Sequence, residues 1–412
     1  MLYFLRRQIM EKLKIGIIGL GGRGQSMTNV LSHMKDVEIL AVCDEYQDRA
    51  NKGGKIAKKD NPLITTDYHE VINNKDIRAI MIFTSWESHI PLAIEAMKAG
   101  KDVGMEVGGA YHLQDCFDLV KTAEETGKQC MMLENCCYGR YELMVKKLVD
   151  DGKFGTVVHC EGGYCHDLRR EVAYGDENRH YRLRNYLSRN CENYPTHELG
   201  PIAKVLKIND GNRMISLTST ASKACGLHEF FVNNRPNDKE LVDAEVKQGD
   251  VISTTIKCEN GETITLTLNT TLPCVYSRKF TVNGTKGMYR EDGDTLVVEN
   301  EKLKKIFPWE IKLSGKMHVR RYEHPIWKAY RKERKKGGHG GIDYLVLRAF
   351  VTGLLENRYL PIDVYDTAAW MAITPLSETS IQNGSAPVEI PDFTHGMYKN
   401  RTERNGGPYD LS

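Results

Sequence analysis

Short apolar runs recur along the first third of the chain, each closed by a glycine or a polar turn. Residues 14–19 read KIGIIG, a β-branched run without polar alternation. That is the pattern of a strand buried on both faces of a parallel sheet. Similar runs occupy 37–43 (VEILAVC), 79–83 (AIMIF), 102–105 and 129–133. Between them lie stretches with helical spacing, running to His33 and over 89–99 and 113–125. Gly100 and Gly127 stand where helix stops belong. Strands and helices alternating at this spacing predict right-handed βαβ units and a doubly wound parallel sheet.

The pattern changes after about residue 150. Residues 157–164 alternate between apolar and polar. Residues 251–258 and 262–268 are Thr-rich and alternating, with Asn260-Gly261 between them, which predicts a hairpin. Runs 279–282 and 287–289 flank a second Asn-Gly at 283–284. Such meanders predict an open, mainly antiparallel sheet with one covered face. Two late helices, 341–356 and 364–382, are expected to pack back onto the first domain. At 412 residues the chain exceeds what one core usually serves. The reading is α/β: an N-terminal Rossmann domain over 12–150, an α+β substrate and oligomerisation domain over 151–390, and a C-terminal tail over 391–412.

Composition adds mainly exclusions. With 41% hydrophobic residues, 27% charged residues and a net charge of +2, nothing points to a nucleic-acid or membrane-surface partner. The basic run 331–336 (RKERKK) reads as a solvated face. No apolar run reaches transmembrane length. The opening MLYFLRRQIMEK has an apolar piece too short for a signal peptide, and Met10 is an alternative start. Eleven cysteines are scattered without a C-x-x-C, which predicts reduced thiols in the cytoplasm. The histidines show no ligand spacing, so no metal is expected.

The strongest chemical signal is Gly19-Leu20-Gly21-Gly22-Arg23-Gly24, a G-x-G-x-x-G that follows one predicted strand and opens a helix. Asp44 ends the next strand 20 residues beyond Gly24. Together they form a dinucleotide fingerprint. Gly19 allows the tight turn, Gly21 lets backbone approach a pyrophosphate, and Gly24 lets helix and strand pack closely. Asp44 would hold ribose hydroxyls and repel a 2′-phosphate, so NAD is expected rather than NADP.

This fingerprint, with TSWESH at 84–89 and GKDV at 100–103, resembles the glucose-fructose oxidoreductase (Gfo/Idh/MocA) superfamily. Many of its dehydrogenases carry Glu-Lys-Pro after the fourth strand, the lysine serving proton transfer. Here the tripeptide is Glu106-Val107-Gly108, and valine cannot move a proton. One branch with Glu-Val at this place is similar in detail: the NAD-dependent α-N-acetylgalactosaminidases of glycoside hydrolase family 109. The likeness continues through MMLENCCY (131–138), EGGYCHDLR (161–169), YRLR (181–184), NYPTHELGP (193–201), TTLPCVYSR (270–278) and GHGGIDY (338–344). It implies NAD contacts from Gly22, Arg23, Asp44, Trp86, Glu87, Ser88, His89, Glu106, Val107 and Asn135. It implies sugar contacts from Tyr164, Arg182, Tyr194, Pro195, Thr196, His197 and Tyr276. Glu198 and Gly108 depart from the family, which has glycine and proline there.

His197 is the expected proton carrier, because imidazole titrates near neutral pH. Tyr194, Tyr164 and His166 are further catalytic candidates; residues 164 and 166 share one strand face. His339 and Asp343 are four apart, one helical turn, and His339 either supports the nicotinamide site or caps a helix. The resemblance implies a hydrolysis without net oxidation: oxidation at sugar C3, elimination from C2 and C1, addition of water, and reduction. A glycan substrate and a homo-oligomer are implied as well. The competing readings are an NAD-dependent sugar or polyol dehydrogenase, a non-enzymic sugar sensor, and the same mechanism on another N-acetylhexosaminide.

Overall fold

The computed structural model describes residues 12–299, 313–333, 337–401 and 407–412. Residues 1–11 and 334–336, which carry most of the opening segment and half of the basic run, lie outside the described residues.

Six strands form a wholly parallel sheet: β1 (Leu13–Ile18), β2 (Val37–Cys43), β3 (Leu63–Thr65), β4 (Ala79–Ile82), β5 (Asp102–Met105) and β6 (Cys130–Met132). Their order is β3-β2-β1-β4-β5-β6. The chain thus winds outward from β1 to one edge and then from β4 to the other. The switch between β1 and β4 opens a crevice at the carboxyl ends of both strands. β1 and β4 are buried almost throughout, as their unbroken apolar runs require. β3 is absent from the sequence reading. It is a three-residue edge strand whose Leu63 and Ile64 are exposed, so no apolar run marks it.

Among the described residues the second sheet has nine strands: β7 (Val157–Cys165), β8 (Met214–Ala221), β9 (Val251–Cys258), β10 (Thr263–Asn269), β11 (Thr281–Gly284), β12 (Gly287–Arg290), β13 (Thr295–Val298), β14 (Leu313–Ser314) and β15 (Val388–Glu389). Among the described residues β7 and β10 are the one parallel pair, and the other neighbours are antiparallel. β9 alternates between buried and exposed positions, as the Thr-rich pattern demands. The first Asn-Gly is a turn, with Gly261 at φ +100°. The second is not: Asn283 and Gly284 are the last paired residues of β11. Gly284 is there because a Cβ would meet the Phe154 carbonyl oxygen at 2.3 Å.

The late helices divide their loyalties. Helix Ile342–Leu355 returns to the first sheet, where Arg348 pairs with Asp36 at 2.7 Å. Helix Val364–Met371 follows it: the Thr367 hydroxyl accepts from the Met132 amide at 3.2 Å, and the Met371 carbonyl from the Ala110 amide at 3.0 Å. Helix Ile373–Gln382 instead covers the second sheet, with Ser380 Oγ accepting from the Ser219 amide on β8 at 2.9 Å. Phe393, Tyr398 and Leu411 are buried, so the described parts of 391–412 pack against the body.

Helix Thr196–Val205 sits between the two sheets and decides where the chemistry can lie. Two glycines admit it. A Cβ on Gly162 of β7 would meet Glu198 Cβ at 2.6 Å, and one on Gly200 would meet Glu134 Cγ at 2.9 Å. The helix's first turn therefore opens at the floor of the crevice. The dinucleotide loop is packed as tightly: a Cβ on Gly24 would lie 2.0 Å from the Gly19 carbonyl oxygen. Gly24→Ala is expected to cost about 1–3 kcal/mol, read as a lower midpoint in denaturant unfolding. An unchanged midpoint would show that the loop yields.

Candidate active site

The glycines of the loop do different work. Gly19 has φ +93°, and a Cβ there would lie 2.6 Å from the Phe83 backbone. Gly19 and Gly24 are thus committed to packing. At Gly22 nothing lies within 4 Å of a built Cβ, and at Gly21 only Arg49 Nη1 does, at 4.0 Å. These two leave bare backbone facing a cleft of about 1460 Å³. Helix Gly22–Ser32 starts there, and its first amides have no intrahelical acceptor and carry the positive end of the helix dipole. Asp44 accepts from the Leu20 amide at 2.6 Å and the Tyr46 amide at 3.0 Å, so its carboxylate is fixed at the end of β2. An open glycine backbone, a helix N-terminus and a held acid fit an NAD pyrophosphate and ribose.

Beside the loop stands a charge network. Arg23 donates to Glu106 at 2.9 Å and pairs with Asp343 at 3.0 Å. Asp343 also accepts from Asn135 and from His339, each at 2.7 Å. Burial alone would push the Asp343 carboxyl up, but His339, Arg23 and Asn135 outweigh it and hold it at about 2. His339 is raised in return, chiefly by that hydrogen bond. Val107 is buried beside Glu106 and donates its amide to it at 3.1 Å.

The far end of the cleft is aromatic. Tyr164 and Tyr194 have ring centroids 4.6 Å apart, with His197 5.0 Å from Tyr194 and 5.9 Å from Tyr164. The Tyr164 hydroxyl lies 3.1 Å from His166 Nδ1, and half-exposed Tyr276 stands edge-on to Tyr164 at 6.3 Å. Arg182 lies over the faces of Trp86 and Tyr194, with Glu171 3.0 Å from its Nε. Its buried Nη1 has no hydrogen-bond partner among the described residues. Burial pushes the Tyr164 phenol up to about 12, against the pull of Arg182, and raises Tyr194 and Tyr276 also. These tyrosines are neutral hydroxyls, not the tyrosinates that a phenolic base needs. Burial and Arg182 lower His166.

His197 is oriented from behind. Its Nδ1 lies 2.8 and 3.0 Å from the two oxygens of fully buried Glu134. Burial works against the charge of Glu134, but His197 and the Cys136 amide outweigh it and keep the carboxyl below its usual range. An ionised Glu134 accepts a hydrogen bond from Nδ1–H, which leaves the Nε2 lone pair toward the cleft. Tyr194 donates to that Nε2 at 3.3 Å. Glu134, Cys136 and His197 have ligand-type atoms within 4.8 Å of one another. The carboxylate–imidazole pair is complete as it stands, and burial raises the Cys136 thiol far above its usual value.

The cleft wall brings together Gly19, Gly21, Gly22, Arg23, Asp44, Glu87, Ser88, His89, Glu106, Val107, Asn135, Tyr164, His166, Arg182, Tyr194, His197 and Tyr276. Gly24, Trp86, Pro195 and Thr196 sit behind it. Sequence reasoning missed Glu134, although it lies in the quoted segment 131–138, because nothing local ties a strand-end acid to a histidine 63 residues on. It also gave no role to Arg49, Arg179 and His180, which line the cleft from a helix and a loop without a motif, or to Tyr181 of the quoted YRLR segment.

Comparison with known proteins agrees with this fold. The family profile described as "Oxidoreductase family, NAD-binding Rossmann fold" matches residues 13–134, and "Glycosyl hydrolase 109, C-terminal domain" matches 138–400. A "Glycosyl hydrolase family 109 protein" of Stenotrophomonas maltophilia is 38% identical over 95% of this chain and 91% of its own. An "Alpha-N-acetylgalactosaminidase" of Tannerella forsythia is 35% identical over 94% of this chain and 88% of its own. An NAD binding oxidoreductase from Klebsiella pneumoniae shares the fold with a TM-score of 0.69 at 17% identity, covering 92% of this chain and 99% of its own. Levoglucosan dehydrogenase, solved with NADH and levoglucosan, shares it at 0.68 and 16%, covering 92% and 100%.

Two more acids lie behind His197. Glu198 does not face the cleft; it is 1% exposed and packs under Gly162. Glu192 is fully buried, and neither acid's oxygens have a hydrogen-bond partner. Burial pushes the Glu192 carboxyl up to about 8, and burial with Glu192 nearby raises Glu198. An unfolded glutamate titrates near 4.3, so between about pH 4 and 8 the folded chain binds the extra proton and stability falls as pH rises. Glu192→Gln is expected to flatten this slope, by on the order of a few kcal/mol between about pH 4 and 9. Denaturant midpoints across that range give the slope, and parallel curves for both chains would refute the assignment.

Proposed function

The chain belongs to glycosyl hydrolase family 109, and from that membership we propose that it releases terminal α-linked N-acetylgalactosamine from glycans by an NAD-assisted elimination and addition. The observation that carries this reading is the imidazole of His197, aligned by Glu134 and set among tyrosines across the cleft from the glycine loop. Two-carboxylate hydrolysis would have to draw on cleft acids of which four are already engaged. Asp44 is held by amides, Glu87 by Arg184, Glu106 by Arg23 and Glu171 by Arg182.

Gly21, Gly22, Arg23, Asp44, the 86–89 turn, Glu106, Val107 and Asn135 would hold NAD. Bound there, it would accept the sugar C3 hydride and give it back at the end of the cycle, while the C3 hydroxyl proton passes to cleft water and returns from it. With C3 oxidised the C2 hydrogen is acidic, and His197 Nε2 takes that proton. Glu134 stabilises the imidazolium through Nδ1–H. The aglycone leaves C1 by elimination, water adds to the enone, and His197, its Nε2 proton exchanged with solvent, protonates C2. Arg182 Nη1 is a donor for a hydroxyl or acetamido oxygen, and Tyr164 and Tyr194 position the ring as neutral hydroxyls. Pro195 and Thr196 act from behind, fixing the turn that carries His197. No net oxidation results.

We also place the chain in the cytoplasm as a homo-oligomer. All eleven cysteines are unpaired, which suits a reducing compartment. No described helix is long and apolar enough to cross a membrane. The exposed Ser253, Thr255 and Lys257 of β9 suit association through the sheet.

An α-linked aryl N-acetylgalactosaminide turned over in heavy water should yield sugar with deuterium at C2. His197→Ala should lower kcat by about 10²–10⁴-fold. NADH accumulating on free sugars, with no release from either anomer, would replace this reading with a dehydrogenase.

A further inference from the structure

A segment of the second half reaches back over the dinucleotide end of the cleft. Residues 176–184 follow the short helix Arg169–Ala173, and Asp176, Asn178, Arg179, His180, Tyr181, Arg182 and Arg184 all line the cleft. Three attachments tie the segment to the Rossmann half. Arg49 Nη2 donates to the carbonyls of Asn178 at 2.8 Å and Arg179 at 3.2 Å. Arg179 pairs with Asp48 at 2.7 Å and stacks over Tyr46 at 4.5 Å. Arg184 forms an ion pair with Glu87. Arg179 has φ +53°, a conformation that costs a residue with a side chain and persists only where its surroundings hold it.

Arg49 faces two ways. While Nη2 holds the strap, Nη1 points at Gly21 and lies 4.0 Å from a built Cβ there. Gly21 is where the loop leaves its backbone bare for a pyrophosphate. The guanidinium also lies over Tyr46, 5.0 Å from the ring centroid, which fixes its plane. A rigid fork with one arm on two carbonyls and the other over an anion site joins the two.

We propose that Arg49 is a pyrophosphate ligand for NAD and that the same guanidinium latches residues 176–184 over the bound cofactor. Ligand and latch then reinforce each other. The phosphate charge fixes Arg49, Arg49 fixes the Asn178 and Arg179 carbonyls, and the closed strap blocks the cofactor's way out. A reaction without net oxidation needs the same NAD at every turnover, and such a clasp retains it. The inference rests on the NAD site and not on the identity of the sugar.

The test uses the full chain and no glycan, so failure of the glycosidase reading leaves it intact. Protein saturated with NAD is passed through a desalting column, and retained NAD is assayed after acid release. In parallel, trypsin cleavage at Arg179 and Arg184 is followed with and without NAD. The native chain should keep its NAD and gain protection in the strap when NAD is present. Arg49→Met should lose NAD roughly tenfold faster or more and should lose the protection. Asp48→Asn, which leaves Arg49 in place, should also release NAD faster, and circular dichroism confirms that both variants fold. Native-like retention in both variants would overturn the proposal. Strap protection that does not depend on NAD in the native chain would overturn the latch.

Discussion

A carboxylate with no access to water must find partners or surrender its charge, and Asp343 finds three. It lies at the start of a helix from the far end of the chain, yet its partners are Arg23 from the dinucleotide loop, Asn135 from the end of β6, and His339 just before its own helix. Arg23 in turn holds Glu106 at the end of β5. One buried charge therefore fixes the loop that receives the cofactor, the strand end beneath it and the late helix that closes the sheet. That cluster adds a side-chain tie to the backbone ladder that joins the carboxyl ends of β1, β4, β5 and β6.

The aromatic end depends on a different economy of space. Helix Thr196–Val205 fits between the sheets only because Gly162 and Gly200 lack side chains, and that fit places His197 directly against Glu134. The hydrogen bond leaves Nε2 as the acceptor toward the cleft. Burial keeps the neighbouring phenols protonated. In the proposed reaction this environment would divide the roles: one imidazole takes protons, and the tyrosines donate hydrogen bonds. Glu198 was a departure beside His197 in the sequence, but its side chain points away into the core, where it meets Glu192 and not a sugar.

The Rossmann half was legible because its signals are local. Unbroken apolar runs, a glycine fingerprint and an acid 20 residues later all fall within one βαβ unit. β3 escaped because an exposed three-residue edge needs no apolar pattern. The second sheet was legible as alternating strands, but the parallel β7–β10 pairing was not, since periodicity within a strand carries no partner information. Asn283-Gly284 misled as a turn because its glycine serves a close approach by Phe154. At the site, residues within the family motifs were found. The role of Glu134 and the part of the strap before residue 181 were not, because their meaning comes only from contacts made across the fold.

The first sheet is completed by residues that arrive last. The β6 edge and the 106–110 turn are capped by Thr367 and Met371, and Arg348 clasps the far side through Asp36. During synthesis the segment that looks like a self-contained nucleotide-binding unit emerges first, yet some 230 further residues must follow before its edge is covered. For that interval an apolar parallel sheet stands incomplete on the ribosome. The arrangement makes the NAD site a property of the whole chain, and it marks the nascent N-terminal half as the stage at which assistance from chaperones matters most.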